Sequence, residues 1–150
     1  MSITTRDVCR NDRTDWQVLW DEYNGFYGRK GTSLDPSITE LTWERFFDPG
    51  EPVYCLVAID EDRVVGLAHY LYHRSTIRKA DVCYLQDLYT AESLRGRGVG
   101  RKLIDAVAAA ARRSGSSRVY WQTKVDNETA RALYDKVAEH TGFIVYTKEL

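Results

Sequence analysis

The sequence predicts an α/β protein, with a central β-sheet and helices on its faces. Three observations predict it. Residues 83–90 are aromatic and aliphatic over a length that suits a buried strand. They lead into the glycine-spaced turn Arg95-Gly96-Arg97-Gly98-Val99-Gly100, after which Leu103, Ile104, Val107, Ala110 and Ala111 recur at helical spacing. The whole chain reads strand, two helices, three strands, helix, strand, helix, strand, and strands interleaved with helices mark this class. At 150 residues it suits one domain, 1–150, with a sizeable core.

Residues 3–8 form the first expected strand. Asn11 or Asp12 can cap the next helix, where Trp16, Leu19, Trp20 and Tyr23 share one face. Gly25 and Gly28 end it. Ser37-Ile-Thr-Glu40 resembles a capping box for a second helix, with Ile38, Leu41 and Phe46 facing inward. Asp48-Pro49-Gly50 stops that helix. Residues 53–59 and 64–72 are strands joined by the polar turn Asp60-Glu61-Asp62-Arg63. A basic loop over 74–80 leads to the strand at 83–90. After the long helix, Ser114 to Ser117 turn the chain into a strand at 118–123. Asn127 opens a last helix with Ala130, Leu133, Tyr134 and Val137 on one face. Gly142 closes it, and 143–148 is a final strand.

Composition excludes several classes. Hydrophobic residues make up 43% and charged ones 29%, as in ordinary globular proteins. The net charge of −1 argues against nucleic acid as a partner, although Arg74, Arg78, Lys79, Arg95, Arg97 and Arg101 leave RNA or a protein as a rival reading. The N-terminus lacks the apolar run of a signal peptide, and no stretch approaches the roughly 20 apolar residues of a membrane span. Cys9, Cys55 and Cys83 are odd in number and widely spaced, which suits reduced thiols in the cytoplasm and no metal.

A glycine turn between a strand and a helix can bind an anion, because the backbone approaches closely and the first helical amides are unpaired. It can also be only a turn. The phosphate-loop pattern fails, with Arg101 and Leu103 where glycine and a hydroxyl are needed. The dinucleotide fingerprint fails too, since the spacing is Gly-x-Gly-x-Gly. Arg95-x-x-Gly98-x-Gly100 instead resembles the pyrophosphate loop of the GNAT acetyltransferases. The order of elements is similar to that family over nearly the whole chain. Tyr84-Leu-Gln-Asp-Leu-Tyr89 and Asn127-Glu-Thr-Ala-Arg-Ala-Leu-Tyr134 resemble its polyamine, histone and D-amino-acid branch.

The resemblance implies a mixed sheet splayed beside the strand at 83–90, with acetyl-CoA as cosubstrate in the gap. The family's pantetheine contacts carry over to Leu88, Tyr89 and Thr90, and a backbone N–H near Leu88 would stabilise the oxyanion. The pyrophosphate contacts carry over to Arg95, Gly96, Arg97, Gly98, Val99, Gly100 and Arg101. Asn127 and Ala130 match further cofactor positions. Tyr134 matches the general acid that protonates the leaving thiolate. The base stays open. Relatives often place a glutamate where this chain has Gln86; Asp87, a water chain, Glu22 and His69 are the alternatives. Alternation turns Asp87 away from the face of Gln86 unless a bulge intervenes.

His69 and His73 share a strand face, as a structural pair, a metal pair or pocket walls. Cys83 reads as a core thiol. The acceptor is expected against the first two helices. There Asp15, Asp21, Glu22, Asp35, Glu40, Glu44, Asp48 and Glu51 outnumber Arg29, Lys30 and Arg45, which suits a small-molecule amine or a lysine-bearing peptide. Glu22, Tyr23 and Tyr27, with Phe26, would contact it. The resemblance also implies a homodimer. Members often finish in a two-stranded hairpin, whereas this chain has room for one strand after Gly142. With Gln86 in place of a base, a non-catalytic acetyl-CoA sensor is the alternative reading.

Overall fold

The structure, a computed structural model, describes residues 2–28 and 34–150. Arg29 and Lys30, expected at the acceptor rim, lie outside the described residues. Five strands form one sheet in the order β1-β2-β3-β4-β5: Thr4–Asp7, Val53–Asp60, Arg63–His73, Val82–Thr90 and Val119–Tyr120. The first four are antiparallel to their neighbours, and β5 runs parallel to β4, so the sheet is mixed. Helices α1 (Arg13–Phe26) and α2 (Pro36–Arg45) belong to one face, and α3 (Val99–Arg113) to the other. Helix α4 (Glu128–Val137) follows β5.

Alternation along the strands feeds two cores. Cys55, Val57 and Leu67 pack with Trp16, Leu19, Trp20, Tyr23 and Trp43. Leu56, Ala58, Val65, Ala68, Cys83 and Leu85 pack with Val99, Leu103, Ile104, Val107 and Ala111. Cys83 is thus the core thiol its sequence context suggests. Gly66 lets α3 come close, since a Cβ there would meet Leu103 Cδ1 and Val99 Cγ1 at 3.0 Å. The β2–β3 turn has Glu61 at φ 47° and Asp62 at φ 65°, the left-handed pair of a two-residue hairpin.

The ends of elements differ from expectation in four places, the first being α4, which stops at Val137 and so is not closed by Gly142. Helix α2 starts at Pro36 behind Asp35, whose Oδ1 accepts from the Ser37 amide at 2.9 Å. It buries Thr39 and Trp43, while Ile38 and Leu41 are 45% and 50% exposed. Thr39 faces inward because its hydroxyl accepts the Trp20 indole N–H at 3.1 Å. Strand β5 stops at Tyr120, three residues early, where Trp121 turns toward Tyr134. No strand forms at 143–148; Phe143, Ile144, Val145 and Tyr146 are 64–88% exposed. A strand needs a ladder to join, and among the described residues none is offered to this run.

Candidate active site

Strands β4 and β5 pair only at Cys83–Val119 and Tyr84–Tyr120. Beyond that point they part, while the other edge of β4 stays laddered to β3 through Leu88, Tyr89 and Thr90. The gap becomes a cleft lined by Tyr23, Tyr27, Leu85, Gln86, Leu88, Trp121, Gln122 and Tyr134. An open strand edge inside a cleft can accept an extended ligand as an added strand. The sheet is therefore splayed beside β4, as the family resemblance implies.

The turn between β4 and α3 leads to a bare helix terminus. Gly96 and Gly98 have φ of 78° and 81°, which only glycine adopts without strain. Gly98 is the N-cap and supplies no side-chain acceptor, and the Lys102 amide is already paired to the Gly98 carbonyl. The amides of Val99, Gly100 and Arg101 are left for an anion. Arg97 and Arg101 are exposed beside them. Arg95 donates to the Thr90 carbonyl at 3.3 Å and lies 5.3 Å from the Tyr89 ring centre. A Cβ on Gly100 would sit 3.4 Å from Leu133 Cδ2, an ordinary contact, so α4 packs beside this turn. Asn127 caps α4 by accepting from the Ala130 amide at 3.4 Å and donates to the Thr123 hydroxyl at 3.2 Å. These residues fit a pyrophosphate-bearing ligand by donor geometry and charge.

A bulge decides where the β4 carboxylate points. His69 pairs with Asp87 and Tyr70 with Leu85, so Gln86 is the extra residue. The insertion resets the alternation. Leu85 and Leu88 face α3, Gln86 lines the cleft, and Asp87 turns toward His69 under α1. Asp87 Oδ2 lies 2.9 Å from His69 Nδ1, and the Trp16 indole N–H donates to His69 Nε2 at 2.9 Å. Asp87 is 9% exposed and His69 3%. Nearby, burial pushes the Tyr84 phenol up, with Tyr120 and the Asp87 carboxylate adding to the effect.

Tyr134 comes from α4 to the same cleft and packs edge-on against Trp121 at 5.5 Å. Burial, with Tyr27 adding, pushes its phenol up to about 12. It therefore holds its proton at neutral pH.

The expected acceptor residues separate. Tyr27 and Tyr23 line the cleft, Tyr23 being buried between Trp20 and Tyr89. Glu22 instead accepts from the Tyr89 hydroxyl at 3.2 Å and lines a different depression with Asp15, Arg63 and Glu92. Half of the acidic rim, four of its eight acids, is paired with arginines. Asp15 pairs with Arg63, Glu40 with Arg13, Glu44 with Arg10 and Glu51 with Arg45. His73 does not join His69; its Nε2 bonds the Tyr120 hydroxyl at 2.6 Å, and Tyr120 stacks on Tyr84 at 4.9 Å. Trp121, Gln122 and Trp16 were not legible as site residues. Trp16 carried only the signal of a core position.

Parted strands followed by a glycine turn on a helix N-terminus make up the α/β arrangement that the family resemblance implies. A model of the acetyltransferase (GNAT) family matches residues 16–138, and the chain belongs to that family. It is 36% identical over 148 residues to the D-amino-acid N-acetyltransferase HPA3 of Saccharomyces cerevisiae, covering 97% of this chain and 90% of that protein. A solved probable acetyltransferase superposes with a TM-score of 0.80 at 25% identity, covering 100% of this chain and 98% of that one. The structure of AAC(6')-Iy with a bisubstrate analogue, CoA-S-monomethyl-acetylneamine, matches in fold, with a TM-score of 0.82 at 16% identity and coverage of 100% and 99%. The protein is an acetyltransferase. Among the described residues, no helix is long and apolar enough to cross a membrane.

Proposed function

We propose that the protein moves the acetyl group of acetyl-CoA to the primary amine of a small molecule, by direct attack with both substrates bound. The observation that carries this reading is the parting of β4 and β5 into a cleft, with unpaired amides at the start of the helix that follows β4. The bulge leaves the neutral Gln86 on that cleft and turns the Asp87 carboxylate to His69 under α1. In the proposal the amides of Val99, Gly100 and Arg101, with Arg95 and Arg97, hold the pyrophosphate. Leu88, Tyr89 and Thr90 pair with the pantetheine arm along the open edge, and Asn127 and Ala130 flank it. Asp87 takes the proton of the ammonium, whose ordinary pKa is about 10.4. The amine nitrogen bonds the thioester carbon, the C–S bond breaks, and the sulfur leaves with the bonding pair. Tyr134 donates its proton to that sulfur, and the second proton shed by the acylated nitrogen restores the Tyr134 phenol. A thiolate whose thiol has a pKa near 8.5 is a weaker base than a phenolate near 12, but the burial that raises Tyr134 would raise a thiol beside it as well.

The rim favours a small amine over a polycation, because half of its acids are paired with arginines, which weakens the field that would draw a polyamine. An amino acid against Tyr23, Tyr27 and the Tyr84–Tyr120 stack is the acceptor we propose, and the likeness to a D-amino-acid N-acetyltransferase supports it. We place the protein in the cytoplasm as a homodimer, a reading supported by its free cysteines and the exposed apolar run at 143–146. Acetyl-CoA consumption across amino acids of both hands, polyamines, aminoglycosides and lysine peptides tests the acceptor. Amino acids should be fastest; a polyamine turned over faster would overturn the choice. Gly98→Glu should abolish CoA binding in a folded protein, and unchanged CoA affinity would sink the placement of the pyrophosphate.

A further inference from the structure

The α1 face carries a buried polar chain of which the acetyl-transfer reading uses only the last member, Asp87. Trp16 donates through Nε1 to His69 Nε2, and His69 Nδ1 lies 2.9 Å from Asp87 Oδ2. An indole nitrogen only donates, so His69 Nε2 must be the accepting, unprotonated nitrogen. The single proton of a neutral imidazole then sits on Nδ1 and points at the carboxylate. A second proton on Nε2 would face the indole N–H at 2.9 Å. Trp16 thus holds His69 in one tautomer and bars it from serving as a base. The ring is further wedged between Trp20, 5.1 Å away, and Phe46, 4.9 Å away.

We propose that His69 is a positioning residue for Asp87. Through its Nδ1–H it pins Oδ2, so that the carboxylate keeps one orientation and leaves Oδ1 to meet the acceptor's ammonium. This rests on the reading of Asp87 as the base. The bulge explains why pinning is needed: Gln86 interrupts the ladder beside Asp87, so the strand alone does not fix the carboxylate. The same geometry removes His69 from the list of bases that the sequence left open.

The test uses the full chain, acetyl-CoA and the amino acid turned over fastest in the acceptor series. His69→Leu removes the N–H and keeps the bulk. It should lower kcat by about tenfold to a hundredfold, the scale of a misplaced catalytic group, with acetyl-CoA affinity unchanged. His69→Asn, whose amide can donate from near the Nδ1 position, should recover most of that loss. In an Asp87→Asn background, His69→Leu should cost nothing further, since both act through one group. Imidazole ¹⁵N shifts of the free wild-type protein should show the proton on Nδ1, and Trp16→Phe should let it redistribute to Nε2 with a parallel fall in kcat.

Asp87→Asn at wild-type kcat would sink the base reading itself. A slow Asp87→Asn beside a normal His69→Leu would sink only the positioning role. So would an unrecovered His69→Asn, additive losses in the double variant, or a wild-type proton on Nε2. If His69→Leu does not fold, His69→Asn and Trp16→Phe decide: kcat must follow the Nδ1–H population, and a full rate with the proton on Nε2 overturns the proposal.

Discussion

The two faces of the sheet are built from different materials. The α3 face is aliphatic: Leu103, Ile104, Val107 and Ala111 lie on Leu56, Ala58, Ala68 and Leu85. The α1 face is aromatic and carries polar handles, with Trp16 on His69 and Trp20 on Thr39. An aliphatic face can be packed in many ways, as long as volume is kept. A face held by directed N–H donors admits few arrangements, because each donor must find its acceptor. The first kind of face suits holding the sheet together. The second suits aiming a carboxylate.

That difference can be broken by separating rate from stability. Tyr134→Phe, on the wall of the cleft, should show the largest effect. It keeps the ring against Trp121 and removes the proposed proton donor, so turnover should fall by about 10²–10⁴-fold with CoA affinity nearly intact. Steady-state turnover with a CoA titration checks it; near wild-type turnover, with chemistry rate-limiting, would make Tyr134 a packing residue. Leu103→Ala, on the aliphatic face, should do the reverse. Leu103 is fully buried, and its truncation should cost about 2–5 kcal/mol in urea unfolding while kcat of the folded fraction holds.

Thr39→Val sharpens the contrast at nearly constant volume. It removes the acceptor of the Trp20 N–H and leaves a buried donor unpaired, at a cost of about 1–3 kcal/mol. If unfolding shows no loss, the directed bonds of the α1 face are not what distinguishes it. The smallest effect is alkaline. Burial raises Cys83 to about 11, and burial with Tyr27 raises Tyr134 to about 12, so both folded values lie above the unfolded ones. Their stabilisation is full below the unfolded values and is lost as pH rises toward the folded ones. Melting temperature should therefore fall from about pH 9 to 12, and Tyr134→Phe should flatten the part above pH 10.

The sequence by itself determined the order of elements as far as α4, and the glycine turn before α3. Trp16, Leu19, Trp20 and Tyr23 declare a buried helix face through spacing alone, and all four are buried. Gly96 and Gly98 mark a turn where the backbone needs freedom, and both take left-handed φ there. These are local properties, readable within a few residues. Tertiary structure decided what depends on pairing. The face of Asp87 turns on a bulge, which exists only between two strands. Ile38 and Leu41 lost the interior to Thr39 because an indole on another helix needed an acceptor. The rim acids met arginines such as Arg63, 48 residues from Asp15, and Trp16 met His69 across 53 residues. The run at 143–148 has the composition of a strand but no ladder among the described residues. Composition sets what a segment can bury; a hydrogen-bond partner distant in sequence sets which way its polar groups face.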